Sequence, residues 1–331
     1  MDTLTGLLEG PKARGAFLLK SVFNPPWSLR VEDRAPISVV TMVRGEAWLL
    51  PDQSQPVHIR PGDVAVVRGP DPYTVADAPG TPVQITVGPE QRCSTVEGED
   101  VTHAMALGVR TWGDSFQSSD AAVMLSGTYQ GRSEIGRRLL SALPTLVVRP
   151  AESSDSTLIR LLALEIGKDE PGQEIVLDRL LDLLLIGVLR TWLASPGSGS
   201  PAWYRAQSDP VVGPALRLLH DNPAHGWTVA ELAVKTGVSR ASLARRFTDV
   251  VGEPPIAYLT GWRLALAADL LREPDATVTT VARRVGYSSA FAFSAAFKRV
   301  RGVSPQEFRC GAVPAVPEGV GTVGGTVVLP A

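Results

Sequence analysis

Four histidines and two cysteines are the side chains in this 331-residue sequence best suited to hold a metal or act as nucleophiles. Only His58 and His103 lie in the front half, and no His-x-His pair occurs. A protein-held metal needs three or four nitrogen, oxygen or sulfur ligands, so neither a metal nor another cofactor is expected. Nor is there a Ser/His/Asp constellation or a phosphate-cradling glycine loop, and the chain does not read as an enzyme. Cys93, in GPEQRCSTVEG, offers redox sensing instead, because Arg92 beside it could lower the thiol pKa. The competing reading is an unreactive small residue. Cys310 is far away in sequence, and the two cysteines form neither a disulfide framework nor a CxxC knuckle.

Basic, hydroxyl and aromatic side chains recur in a more informative pattern. TVAELAVKTGVSRASLARRF begins at Thr228 and TVTTVARRVGYSSAFAFSAAF at Thr277. Val229 and Val278, Ala233 and Ala282, Gly237 and Gly286, and Ser239 and Ser288 are each 49 residues apart, and Phe247 and Phe297 are 50 apart. Each copy predicts a short helix with a small residue where the next helix crosses, then a Gly whose positive φ ends it. Ser239 or Ser288 then caps a second helix, which buries Leu243 and Phe247 or Phe293 and Phe297. This is a helix-turn-helix, whose second helix can enter a DNA major groove. The geometry also occurs in purely structural bundles, but duplication and the basic residues of the first copy favour DNA. The segment IAYLTGWRLALAADLLRE at 256–273 reads as one long helix. Such a spacer would hold two readers on groove windows about 34 Å apart.

The rest of the chain must position these groups. At 331 residues two domains are the prior expectation, and 44% apolar with 20% charged residues describes a globular protein. Up to about residue 130, alternating runs such as ISVVTMVRGEAWLLP and PVHIRPGDVAVVRG predict the short strands of a barrel or sandwich. IGRRLLSAL, STLIRLLALEI and EIVLDRLLDLLLIGVLRTWL then switch to a helical period, the last apolar on more than one face. Burial of that face within one subunit and burial against a second subunit are both open, and a homodimer through the helices at 155–194 is the expectation adopted. SPGSGSPAW opens an expected linker at 195–208, the all-helical domain spans 209–309, and the residues from 310 to 331 are expected to be disordered.

Charge is sorted along this division. Residues 209–309 hold 13 Lys or Arg against 9 Asp or Glu, whereas residues 1–208 hold 19 against 24. A polyanionic partner is thus expected only behind. LLDLLLIGVLRTWLA is interrupted by Asp182 and Arg190 and too short for a membrane span. MDTLTGLLEGPKARG lacks the pattern of a signal peptide, so a cytoplasmic location is expected.

Several of these motifs, in order and spacing, resemble the DNA-binding domain of the AraC family of bacterial transcription regulators. They are the first repeat, Trp262 and Arg263 in the spacer, VARRVGYSS, and AFKRVRGVSPQEFR, covering about 225–309. PPWSLRV, ISVVTMVRGEAWL and RPGD more loosely resemble the cupin sensor domain of one branch of that family. The resemblance implies an α+β two-domain protein. A cupin-like β-barrel with flanking helices would fill residues 1–194, followed by an all-α domain with two helix-turn-helix units joined by a long helix. Double-stranded promoter DNA, a small-molecule effector and RNA polymerase are the implied partners. A redox regulator acting through Cys93, a metal-dependent cupin enzyme and a protein-binding module are the alternatives. Effector binding would shift the domains across the linker.

The resemblance places Ala241, Ala244 and Arg245 on the groove side of the first reading helix, with Ser239, Arg240 and Arg246 nearby and Arg263 on the spacer. Arg245 is the candidate for direct reading, since a guanidinium can bridge guanine O6 and N7, and Arg240 and Arg246 suit phosphates. The second helix departs from the family pattern. Ala290 and Ala295 stand where relatives carry Glu and Arg, and Phe291 is an aromatic that neither cap nor core demands. Ser288, Ser289 and Ser294, with Lys298 and Arg299 at the end, are its remaining polar groups. Thymine-methyl contacts, phosphate contacts and shape are what such a helix can read. In the barrel, Trp27, Arg44, Trp48, Arg60 and Tyr73 are candidate effector contacts, subject to strand register.

Overall fold

Alternating apolar residues, broken by Pro, Gly and Asp, give the front of the chain its pleated backbone. The computed structural model describes residues 17–114, 119–129, 134, 136, 140–151, 153–195, 201–310 and 325–329. In chain order the first strands are β1 (Phe17–Phe23), β2 (Ser28–Val31), β3 (Ile37–Arg44), β4 (Ala47–Pro51), β5 (Val57–Ile59), β6 (Val64–Arg68) and β7 (Tyr73–Ala76). They continue as β8 (Ile85–Val87), β9 (Cys93–Thr95), β10 (Ala106–Gly108), β11 (Thr111–Gly113), β12 (Ala122–Tyr129), β13 (Leu146–Arg149) and β14 (Thr326–Val328). One sheet runs β10-β11-β1-β12-β3-β6-β13-β14 and the other β5-β4-β7-β2-β8-β9. With a side-chain period of two, one face of each sheet turns inward. Val40, Met42, Ala65 and Met124 of the first sheet share a core with Leu29, Leu49, Ile59 and Val75 of the second.

Two helices accompany the sheets, α1 (Ser153–Glu165) and α2 (Gln173–Ala194). α2 buries Leu177, Leu181, Leu184, Val188 and Trp192. Its close seat depends on missing side chains. A Cβ on Gly127 of β12 would fall 2.5 Å from Leu181 Cδ2, and one on Gly187 of α2 would fall 2.7 Å from the Arg149 guanidinium. Four of the nine residues of the expected IGRRLLSAL helix lie outside the described residues, and Gly136 and Leu140 are helical.

The helical elements of the rear follow the repeat. They are α3 (Ala202–Arg205), α4 (Val212–Asp221), α5 (Val229–Lys235), α6 (Arg240–Val251), α7 (Pro255–Leu270), α8 (Val278–Arg284), α9 (Ala290–Arg301) and α10 (Pro305–Arg309). Leu216, Leu232, Leu243, Phe247 and Tyr258 form one core, and Leu264, Ala268, Val281, Phe293, Phe297 and Phe308 a second. Each repeat thus buries its own apolar face, and α7 contributes to both.

The described residues of 12–131, 142–198 and 322–331 form one compact unit, and those of 132–141 and 199–321 the other. Three boundaries differ from expectation. Thr326–Val328 pairs in parallel with β13, Val147 opposite Val327, and Leu329 is buried, so this part of the tail is ordered in the front unit. The VVL run supplies the β-branched and apolar residues that a glycine-rich composition concealed. Residues 201–208, expected as linker, belong to the rear, where Ala206 is fully buried and Trp203 packs on the core. Glu134 also belongs to the rear unit. Its carboxylate, 1% exposed, accepts from Arg272 Nη2 at 3.1 Å and Arg301 Nη1 at 2.5 Å.

Candidate nucleic-acid interface and barrel chamber

Both helix-turn-helix copies are built by capping chemistry. Thr228 Oγ1 accepts from Glu231 N at 3.1 Å to start α5, and Thr277 does the same for Thr280 N in α8. Ala233 and Ala282 are buried, and Gly237 and Gly286 take φ of +72° and +87° to leave the first helix. Ser239 Oγ then accepts from Ser242 N at 3.2 Å and caps α6. In the second copy the cap is Ser289, not Ser288. Its Oγ accepts from Ala292 N at 3.2 Å, and Ser288 sits in the turn. The second turn carries one extra residue, which is why the repeat offset changes from 49 to 50 between the glycines and the phenylalanines.

From the caps onward the two reading helices correspond residue by residue. Each has 12 residues and ends on a left-handed glycine, Gly252 or Gly302. Leu243 and Phe247 of α6 and Phe293 and Phe297 of α9 are fully buried. The outward face of α6 presents Arg240, Ala241, Arg245 and Arg246, with Ala244 half-buried. That of α9 presents Phe291, Ala292, Ala295, Lys298 and Arg299, with Ala290 and Ser294 half-buried.

Two of the arginines expected near DNA are also engaged in the fold. Arg246 Nε donates to Asp209 Oδ2 at 2.9 Å. Burial opposes charge on that aspartate, yet the Val212 and Val211 amides and Arg246 together hold its carboxyl below the usual range. Arg263 donates from Nε to Pro223 O at 2.6 Å and from Nη2 to His225 O at 2.7 Å. It ties α7 to the α4–α5 connection, and burial lowers its pKa. The sequence alone gave no sign of these backbone acceptors.

The front unit holds a partly open chamber of about 210 Å³. Its wall is largely apolar, with Leu19, Val31, Val40, Val75, Trp112 and Met124 among the lining residues. Asp33, Tyr73 and Thr128 bring polar groups to the wall. Asp33 accepts from Ala35 N and Gln91 Nε2, and Tyr73 hydrogen-bonds Ser38, while burial pushes its phenol upward. Thr128 Oγ1 is buried with no partner among the described residues.

Of the five side chains expected in this chamber, only Tyr73 lines it. Trp27 is buried in the core, its ring stacked 5.3 Å from Phe23. In β4 the buried positions are Ala47, Leu49 and Pro51, so Trp48 lies on the other parity and stacks on His58 at 4.7 Å. Arg44 donates to Ala121 O at the end of β3, and Arg60 is exposed. Strand parity decides the outcome for Trp48, whereas Trp27 and Arg60 lie in connections outside the strands. Cys93 does line the chamber, but burial and then Asp100 push its thiol up to about 11. That shift runs opposite to the lowering expected from Arg92, and redox sensing finds no support in it. Among the described residues no cluster of three His, Cys, Asp or Glu could hold a metal.

Residues 2–194 match the family model described as Cupin, and residues 232–310 that of a helix-turn-helix domain. A putative AraC-like transcription regulator of Streptomyces lividans is 31% identical over 314 residues, covering 93% of this chain and 98% of its own. The HTH-type transcriptional regulator AlkR of Acinetobacter baylyi is 34% identical over 198 residues, 58% of this chain and 64% of that protein. Among solved structures, the DNA-binding domain of AdpA, a global transcriptional factor in complex with a target DNA, matches at 31% identity and a TM-score of 0.30, covering 31% of this chain and 93% of that one. With a cupin domain in front of a duplicated helix-turn-helix, the chain belongs to the AraC-like family of DNA-binding transcription regulators.

Proposed function

We propose that a small, largely apolar effector occupies the barrel chamber and sets the affinity of the rear domain for double-stranded promoter DNA. The observation that carries this reading is the chamber itself, apolar in most of its wall, with Ser126 and Thr128 of β12 among its polar lining residues. A dry cavity of about 150 Å³ takes one benzene, so 210 Å³ suits a molecule somewhat larger than a single ring. A hydrogen-bonding group on that molecule would meet a polar side chain of the wall, the half-buried Ser126 among them.

The protein acts as a homodimer in this reading, in the cytoplasm and without catalysis, and RNA polymerase is its partner at the promoter. Leu161 and Leu164 of α1 and Ile175, Val176 and Leu183 of α2 are exposed apolar side chains on the segment expected to pair. A thermal-shift screen of small apolar molecules with one hydrogen-bonding group tests the effector site on the full chain. Ser126→Leu fills the chamber opposite Val40 and serves as control. A true effector stabilises the parent, leaves Ser126→Leu unaffected and changes affinity for promoter DNA. Equal stabilisation of both proteins would place the effector elsewhere.

A further inference from the structure

We infer that Phe291 is a specificity-determining residue that selects thymine through its 5-methyl group in the major groove. The inference rests on α9 being a groove helix, as its family membership implies, and adds what that helix reads. Phe291 is 85% exposed, the highest value among the exposed large apolar side chains described. An aromatic of this size left in water forgoes the burial that would stabilise it. The fold makes no use of the ring, because the buried face of α9 is Phe293 and Phe297 and the cap is Ser289.

Its place in the helix points to DNA. Phe291 is the second residue after the cap, equivalent to Ala241 in α6, and the N-terminal residues of a reading helix are those that reach base edges. Beside it Ala292 and Ala295 are exposed and too short to donate or accept, and Lys298 and Arg299 follow at the far end. The face therefore runs from one aromatic ring, over a shallow alanine floor, to two cations suited to phosphates.

Of the four bases only thymine presents an apolar group in the major groove. Under Phe291 a guanine, adenine or cytosine edge would lose water without gaining a partner, and an unsatisfied polar group is the costly outcome. Thymine offers a methyl to cover instead. An exposed aromatic would equally suit a protein partner, but the continuity with Lys298 and Arg299 on a helix of a DNA-binding repeat favours the nucleic acid.

Duplexes selected from a randomised library by the full-length protein provide the probe. Thymine should be enriched under the second copy, and replacing that thymine by deoxyuridine, which lacks only the methyl, should weaken binding about fourfold, equivalent to ~0.8 kcal/mol for one buried methyl-sized group. Phe291→Ala should bind the thymine and uracil duplexes equally, with an unchanged melting curve. Lys298→Ala with Arg299→Ala should weaken binding to all sequences and reduce its salt dependence. If those two changes act while uracil replacement at every thymine costs the parent protein nothing, or costs Phe291→Ala as much, methyl reading by Phe291 is wrong. If the two basic changes also have no effect, α9 does not dock on DNA, and the groove assignment fails with it. Loss of binding to a protein but not to DNA on Phe291→Ala would assign the ring to a protein partner and overturn the inference.

Discussion

The two reading helices share a scaffold and differ in nearly everything they present. α6 and α9 have equal length, begin on a serine cap, bury large apolar residues at the same two positions and end on a left-handed glycine. Yet α6 carries Arg240, Arg245 and Arg246 in its first two turns, and α9 carries Lys298, Arg299 and Arg301 in its last. The cationic end of the surface is reversed between copies. Positions fixed by packing and capping have stayed alike, because a wrong residue there costs fold stability. Positions facing outward answer only to what they touch. A duplicated unit can therefore keep one geometry and divide two tasks, hydrogen-bonded base reading in front and apolar or phosphate contact behind.

The largest test of this division lies where the second copy is held rather than where it reads. Arg301 at the end of α9 is 17% exposed and shares the buried Glu134 carboxylate with Arg272. Val251 stands at the equivalent place in α6 and carries no charge. Glu134→Ala leaves two cations close together without that carboxylate, and breaking a buried pair costs about 3–5 kcal/mol, toward the lower end here because Arg272 is half-exposed. Amide hydrogen exchange should show faster opening in α9 and α10 with α6 little changed. Equal loosening of both copies would mean that the two cores unfold as one.

A smaller difference separates the turn glycines. Both adopt positive φ, where a side chain costs roughly 1–2 kcal/mol. A Cβ on Gly237 would meet open space, but one on Gly286 would fall 2.5 Å from Ala224 O and 2.8 Å from its Cα. Gly237→Ala should thus lose about 1–2 kcal/mol and Gly286→Ala about 3 kcal/mol or more, the surplus coming from backbone that must move. Urea unfolding of the two variants measures the gap. Matching midpoints would show that the crowding at Ala224 relaxes freely.

How much of this was legible depends on whether the governing interactions are local. The repeat, its glycines, the Ser239 cap and the α7 spacer were readable because each is decided within a few residues. The second cap falls on Ser289, one residue past the position that the glycine spacing predicts, and the spacing of the buried phenylalanines carries the sign of that extra turn residue. The chamber was not readable to the same degree. Whether Tyr73 or Trp48 points inward follows from pairing with strands far away in sequence, and a shift of one residue exchanges the faces. Glu134 and β14 were hidden for the same reason: their partners, Arg301 and β13, lie over 160 residues away.

The smallest predicted change concerns reading itself. Arg245 is exposed on the outward face of α6, and a bidentate guanidinium–guanine contact is worth about 1–3 kcal/mol of discrimination at one base pair. Arg245→Ala should flatten the preference at that pair while lowering overall affinity modestly. Its structural counterpart in α9 is Ala295, which has no polar group to lose. Ala295→Ser, or Ala290→Ser one turn before it, should leave the selected sequence nearly unchanged, because surface substitutions of this kind stay within about 0.5 kcal/mol. Site selection with each variant measures both effects in the same units. Equal loss of discrimination from the two helices would refute the division of labour, since an alanine surface that specifies bases as strongly as an arginine must be doing so through contacts other than those its own side chains can make.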